Sequence, residues 1–449
     1  MDRRLEKVLE EAAERVNPKP LEYRVAMLYY RLLEKLLHGS GAVKRYGGAV
    51  SLQGSVAKDT WVSGDFDLDV FVSFPRSLGR EWILGESLAV ILDAVRILPH
   101  VVDYAQHPYV TVVYMGLEAN VVPVLEAGKP GDTRLAVERT PFHTRYVSSR
   151  LPQSLKSDVR LLKSFLKGVG VYGAEVKVGG FSGYLAELMV IHYGGFLEAL
   201  SEISRWKPPI IVDMEHGLDA GMLRERFKDA PLVWVDPVDP DRNVAAAVRL
   251  ESLARLVMAA RFFLRRPGHV FFHYASKPDK PVMPPRDRGA VLVYRVDIST
   301  LTEQTLWGEI RRIMNRVRGF LSSRGYRVVY TGASTDMSGL VVIAVEVEAE
   351  KPGVYVEKGP PVWVKGALDY VDKRLLSGEP VWIGWDGRLY SERTRRQVFT
   401  MLLEEGWREY TVAPHFREYR PRVYPVGGEP EWLRDKVLEA WRRLPAWLR

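Results

Sequence analysis

The 449-residue chain contains no cysteine. That absence excludes disulfides, thiolate-bound zinc and thiol nucleophiles together. No uninterrupted apolar run approaches the roughly 20 residues that a membrane-spanning helix needs. There is no internal repeat and no low-complexity stretch. The opening MDRRLEKVLEEAAERV spells a charged amphipathic helix and lacks the apolar run of a secretory signal. These absences predict a cytoplasmic protein of several domains, each large enough for its own core. Dense Arg and Glu without Cys would suit a thermophile. Charge of neither sign is scarce: 64 Lys and Arg stand against 56 Asp and Glu, a net +8. An excess of that size is compatible with a polyanionic partner without requiring one.

What is present concentrates in residues 54–74, GSVAKDTWVSGDFDLDVFVSF. Gly54-Ser55 reads as a small turn, Lys58 as part of a polar loop, and residues 66–74 as an apolar strand. Alternate residues of a strand share a face. Asp67 and Asp69 therefore lie side by side, with Phe66, Leu68 and Val70 on the other face. Two carboxylates in an apolar strand repel each other and are costly to desolvate. A hard dication, held by Asp oxygens and a substrate's phosphates, resolves both problems. Glycine lets backbone N–H groups approach an anion, and a serine hydroxyl can bond a phosphate oxygen. A lone D-x-D is usually a pair of surface acids, and a lone Gly-Ser is noise. Their order, with the acids set on one strand, favours metal-assisted nucleotidyl transfer.

Helical spacing of Leu21, Val25, Leu28, Leu32 and Leu36 predicts a buried stripe after Pro20. A helix is expected over 81–98, strands over 109–114 and 117–124, and a helix over 158–167. In the last, Leu161, Leu162, Phe165 and Leu166 face the core and Lys163 lies beside them. Residues 168–173, GVGVYG, match G-x-G-x-x-G, but they follow a helix, so they read as its C-terminal cap. A long Ala-rich helix is expected over 244–264. Further on, a strand at 290–298, a helix with Leu306, Ile310, Ile313, Val317 and Phe320 inward, and strands at 326–330 and 340–347 form a small α+β unit. Arg311, Arg312, Arg316 and Arg318 lie off its apolar stripe. Terminal helices are expected over 391–404 and 431–447. Their Arg393, Arg395, Arg396, Arg442 and Arg443 are candidates for phosphate contacts, which set register but carry no base specificity.

GSVAKDTW followed by DFDLDVFV resembles the signature of the polymerase-beta-like nucleotidyltransferase superfamily. RTPFH, VRLLKSFLK, VYGAEVKVGGFSGYLAEL and VDPVDPDRNVAA, in that order, are similar to the central part of the archaeal (class I) CCA-adding enzymes. GPPVWVK resembles their tail region. The resemblance implies an α+β multidomain protein. Its parts would be a catalytic head (1–132), a helical, nucleotide-binding neck (133–266), a body (267–300 and 377–449) and a tail (301–376). It implies addition of C, C and A to the 3′ end of tRNA from CTP and ATP, without a template. Mg²⁺ would lie between Asp67, Asp69 and a third carboxylate. Ser55 and Lys58 would meet the triphosphate, with His143, Lys163 and Tyr172 as further nucleotide contacts and Arg242 reading the base. Body and tail would hold the acceptor stem and T arm. The plain alternatives are that His143 caps a helix, Tyr172 only packs and Lys163 is solvated.

The third carboxylate position is occupied by Asn120, which offers a carbonyl oxygen but neither charge nor base. Three readings follow: a substitution introduced to trap complexes, which is preferred, a naturally slow or inactive homologue, or compensation by Glu118. A non-catalytic RNA-binding homologue and a poly(A) polymerase-like enzyme therefore stay open. Oligomeric state is also open, a homodimer included.

Overall fold

A computed structural model describes residues 3–65, 67–104, 108–133, 135–348, 353–395 and 399–448. Phe66, Arg396 and the side chains of Arg393 and Arg395 lie outside the described residues. The chain forms two units, 1–277 with 447–449, and 278–446.

In the first unit, five strands form one sheet. They are β1 (Ala49–Gln53), β2 (Leu68–Phe74), β3 (His100–Tyr104), β4 (Pro108–Tyr114) and β5 (Leu117–Leu125), in the order β1-β2-β5-β4-β3. β2 and β5 run parallel, and the other pairs are antiparallel. Leu68, Val70, Val72 and Phe74 of β2 are buried under the helices Pro20–Gly39 and Glu86–Val95. The opposite face carries Asp69 and then Phe71, which packs on Val122 and Val124. The sheet is therefore apolar on one side and divided on the other, with its polar end where β2 begins.

Several expectations need correction. The helix Pro20–Gly39 buries Ala26, Tyr29, Leu33 and Leu37, while Leu21 and Leu28 are 69% and 64% exposed. Both stripes have helical spacing. The Tyr29 hydroxyl, donating to Val112 O at 2.8 Å, helps fix which one faces the sheet. The single helix expected at 81–98 is two, Gly79–Leu84 and Glu86–Val95, parted at Gly85. β3 has no counterpart among the expected strands; it is a short edge strand with Val101 and Val102 exposed.

The helices Lys156–Val169, Gly183–Tyr193, Phe196–Ile203 and Leu250–Arg265 build a second core. Leu161, Leu162, Phe165 and Leu166 are buried there as their spacing predicts. So are Val8, Ala12 and Val16, so the first helix (Arg3–Val16) packs with this core although its sequence position lies in the expected head. Gly170, at φ +79, caps the helix Lys156–Val169, as read from GVGVYG. Residues 244–249 are not helical. The preceding DPVDPDRN stretch contributes to a hairpin, Leu232–Asp236 with Asp239–Asn243.

The second unit contains a four-stranded sheet in the order Val328–Thr335, Leu340–Val347, Gly289–Arg295, Arg422–Pro425. The helix Glu303–Ser322 covers one face, with Leu306, Ile310, Ile313, Val317 and Phe320 inward as expected. The helix Arg434–Ala440 covers the other face. A separate three-stranded sheet, Gly353–Pro361, Arg388–Arg395 and Val381–Ile383, carries the helix Ala367–Leu376. The body and tail boundaries read from sequence cut across both sheets, because 340–346 pairs with 289–295 and 353–361 pairs with 388–395. Ser391–Arg395, expected as helix, lies in a strand whose partner is Gly353–Pro361. The helix expected over 431–447 is confined to Arg434–Ala440. Arg443 is held by Glu346 and by Val282 O, at 3.1 Å from the latter, and is thus already engaged within the protein.

Candidate active site

β1 leads directly into the Gly-Ser pair. The expected turn and loop is in fact a one-turn helix, Gly54–Lys58. Gly54 has φ +69, and a Cβ there would lie 1.9 Å from Asp69 Oδ2. Only glycine satisfies both the left-handed backbone and that approach. Asp59 ends the turn and accepts from the Tyr23 hydroxyl at 2.7 Å and from Lys156 at 3.1 Å. Arg160 donates to its backbone oxygen at 2.7 Å. These bonds tie the turn to the helix Lys156–Val169.

Asp69 on β2 is paired in register with Gln53 on one side and Asn120 on the other. Burial, then the charge of Asp67, pushes its carboxyl up to about 6, with Lys58 and a hydrogen bond from Asn120 offsetting part of the rise. Asp67 is also raised, by desolvation first and then by Asp65 and Glu118. Asn120 Oδ1 accepts from the Thr111 hydroxyl at 3.0 Å, so its amide nitrogen is the group turned to Asp69. Asn120 thus acts as a donor to the neighbouring acid. Glu118, two positions earlier on the same face of β5, adds to Asp65 in raising Asp67, and Lys167 opposes both. Among the described residues no three His, Asp or Glu side chains stand close enough to hold a metal by themselves.

Behind the carboxylates lies a fully buried ionic cluster. Glu187 accepts from Lys58 at 2.6 Å, Lys163 at 2.8 Å and the Thr60 hydroxyl at 2.5 Å. Burial lowers Lys163 to about 8, opposed by Glu187. Burial would raise Glu187, but the two lysines outweigh it and hold it at about 2. Lys163 is therefore not the solvated lysine of the plain alternative. A Cβ on Gly183 would lie 2.7 Å from the Tyr172 hydroxyl and 3.6 Å from Lys163 Cε, so Tyr172 borders the same cluster.

On the other side, Lys58 Nζ lies 5.8 Å from the ring centre of Tyr184. Tyr184 stacks on His143 with centroids 4.0 Å apart. Asp236, fully buried, gathers His143 Nε2 at 3.0 Å, Arg242 at 2.6 Å, the Tyr184 hydroxyl at 3.1 Å and Val238 N at 3.1 Å. Burial pushes Asp236 up, but His143, the Val238 N–H and Arg242 hold it below the usual range. Burial lowers His143, opposed by its bond to Asp236.

Lys58, Lys163, Tyr172, His143 and Arg242 thus form one continuous wall, and Ser55 stands on the same helical turn as Lys58. The two acids that organise this wall, Glu187 and Asp236, are absent from the sequence-based candidates. Glu187 had a usable signal: it is the one acid within GYLAELMVIHY. Asp236 had less, since the prolines after it make the stretch read as loop. His192 packs edge-on against Trp234, with ring centres 5.5 Å apart.

Residues 40–143 match the family model described as nucleotidyltransferase domain, and residues 157–273 that described as tRNA nucleotidyltransferase, second domain. The chain is 40% identical to the CCA-adding enzyme of Aeropyrum pernix, over 97% of this chain and 94% of that one. It is 36% identical to the CCA-adding enzyme of Sulfurisphaera tokodaii, over 90% of this chain and 92% of that one. A solved cytoplasmic RNA terminal U-transferase overlays 60% of this chain and 98% of its own, at 14% identity and a TM-score of 0.46.

Proposed function

Since the chain belongs to the archaeal CCA-adding enzymes, of the polymerase-beta-like superfamily, we propose that this wall and carboxylate pair complete the 3′ end of tRNA. The reaction adds C, C and A from CTP and ATP without a nucleic-acid template, in the cytoplasm. The observation that carries it is Asp69, a half-buried acid raised to about 6 beside a second acid and within the field of Lys58.

Enzymes of this class act with a divalent cation, and the residues present fit one. Two neighbouring carboxylates stay raised although Lys58 and Lys167 act on them, and Mg²⁺ is commonly held by one or two carboxylates plus substrate phosphates. Asp67 and Asp69 would hold it, with Glu118 adding the third negative charge that Asn120 does not. Bound Mg²⁺ supplies charge that favours the 3′ alkoxide and the leaving pyrophosphate. The protein's own groups do the rest. Ser55, Lys58 and Lys163 meet the triphosphate, and Glu187 keeps both lysines aimed before it arrives. His143, stacked on Tyr184, and Arg242, fixed by Asp236, present donors to the incoming base. Tyr172 closes the wall beside Lys163. The second unit holds the acceptor stem and T arm by shape and backbone, the mode that suits A-form RNA.

The test is incubation of the chain with tRNA lacking CCA, Mg²⁺ and labelled CTP or ATP. Addition of C, C and A followed by arrest is expected. A long A tail that ignores CTP would make it a poly(A) polymerase. Binding of tRNA without incorporation would make it a non-catalytic homologue.

A further inference from the structure

The second unit leaves one end of its four-stranded sheet uncovered. The helix Arg434–Ala440 packs on Val291, Val293, Val342 and Ala344, and its cover begins only at the turn Glu431–Leu433. Beside that turn opens a cleft of about 400 Å³, a size within the roughly 300–1,000 Å³ of ligand pockets. Its floor is set by register. Arg422 pairs with Val293, and Tyr424 and Arg295 lie two residues further along their own strands, on the same face. Tyr419 and Arg420 reach in from the segment before Arg422, and Trp432 forms the facing wall.

Two features separate this cleft from the rest of the unit. Several arginines of the unit are paired with acids: Arg324 with Glu409, Arg327 with Glu348, Arg374 with Glu357, Arg443 with Glu346. Arg295, Arg420 and Arg422 converge here, and among the described residues none of them forms an ion pair. The one acid on the lining, Glu418, leaves two positive charges uncompensated. The second feature is aromatic. Trp432 is 56% exposed, and the Arg295 guanidinium lies 4.7 Å from its ring centre. Exposed arginine forks suit phosphate oxygens, and an open indole face suits a base.

We propose that this cleft holds one unpaired nucleotide of the bound RNA. Its phosphate lies on Arg420 and Arg422, and its base stacks on Trp432. The occupant is single-stranded, because bases of an A-form duplex are stacked inside it and cannot reach a side wall. The proposal rests on tRNA being the substrate.

The experiment uses the full chain and tRNA lacking CCA, with affinity measured over a salt series. Arg420→Ala/Arg422→Ala should weaken tRNA binding by about tenfold or more and flatten the salt dependence by about 0.7 for each phosphate no longer neutralised. Trp432→Ala should weaken it about 5- to 100-fold with the salt slope unchanged. Arg422→Lys should keep the slope and lose affinity, since the charge stays and the fork goes. All of these side chains are exposed, so thermal melts should match the wild type, and turnover at saturating tRNA and the KM for CTP should hold. A short acceptor-stem duplex without loops should bind wild type and Trp432→Ala alike. Unchanged tRNA affinity in the arginine or tryptophan variants overturns the proposal. So does equal loss on the duplex, and so does a raised KM for CTP with RNA affinity intact, which would make the cleft a free-nucleotide site. Failure of the wild type to add CCA would sink the functional reading instead.

Discussion

Two groups of charges lie within the first unit, and both place acids and lysines in apolar surroundings. Around Glu187 every charge has an opposite partner: one carboxylate takes two ammonium groups and a hydroxyl with almost no exposure, and one positive charge is left over. Around Asp69 that is not so: Asp67 raises it further, and Lys58 and the Asn120 amide only moderate the repulsion. A closed cluster fixes geometry, and its surplus positive charge favours a phosphate. An open one stores electrostatic free energy that only an incoming cation and its phosphates can release. The difference assigns their roles, holding to the first and reacting to the second.

Replacing the central acid of each cluster should therefore have opposite signatures. Asp69→Asn should cut nucleotide addition by at least about 10³-fold, because charge at the reacting phosphate is lost. Its tRNA affinity should stay near wild type; a parallel loss of binding would make Asp69 structural and erase the contrast. Glu187→Gln should cost stability, about 3–5 kcal/mol, by leaving buried lysines without their counter-charge. A chemical denaturation midpoint equal to wild type would show that the cluster is not closed.

Asn120→Asp sharpens the comparison by adding charge to the open side. Turnover should rise by about 10²–10³-fold, the scale of a charge-stabilising group. No rise would assign the third charge to Glu118, and Glu118→Gln should then lower turnover.

The smallest effect is in pH. Asp69 titrates near 6 when folded against 3.8 in the unfolded chain, so folding binds a proton across that window. Metal-free stability should fall as pH rises from about 4 to 6, by at most about 3 kcal/mol. Asp69→Asn should lack that fall, melting higher than wild type at pH 7.5 and level with it at pH 4. Parallel melting curves across this range would mean that Asp69 is not raised.

The open cluster is legible in sequence because DFDLD breaks a rule visibly: acids at period two in an apolar strand need a partner. The closed one is less so. Lys58 and Lys163 stand out by resemblance, but Glu187, the group that joins them, breaks the same rule inside GYLAELMVIHY, where an acid in a helix is less conspicuous. Asp236 depends on a hairpin that its own prolines disguise. The misplaced stripe on Pro20–Gly39 has another cause. Two staggered sets of apolar residues fit the helical period equally, and a tertiary bond from Tyr29 discriminates between them. The line between body and tail is crossed by strand pairings, 289–295 with 340–346 and 353–361 with 388–395, that local pattern cannot see.

Trp447 packs against Phe262 and Phe271, inside the core of a unit whose other residues end at Lys277. The intervening segment is topologically an insertion, and the first unit is discontinuous along the chain. During synthesis, which proceeds from the N-terminus, the helices around Phe263 must wait for an aromatic side chain made about 180 residues later, a span the chain can close at only modest extra entropy. A fragment cut after Lys277 would not be the first unit in isolation. It would carry a vacant aromatic socket, a site for association with other copies while the native plug is missing.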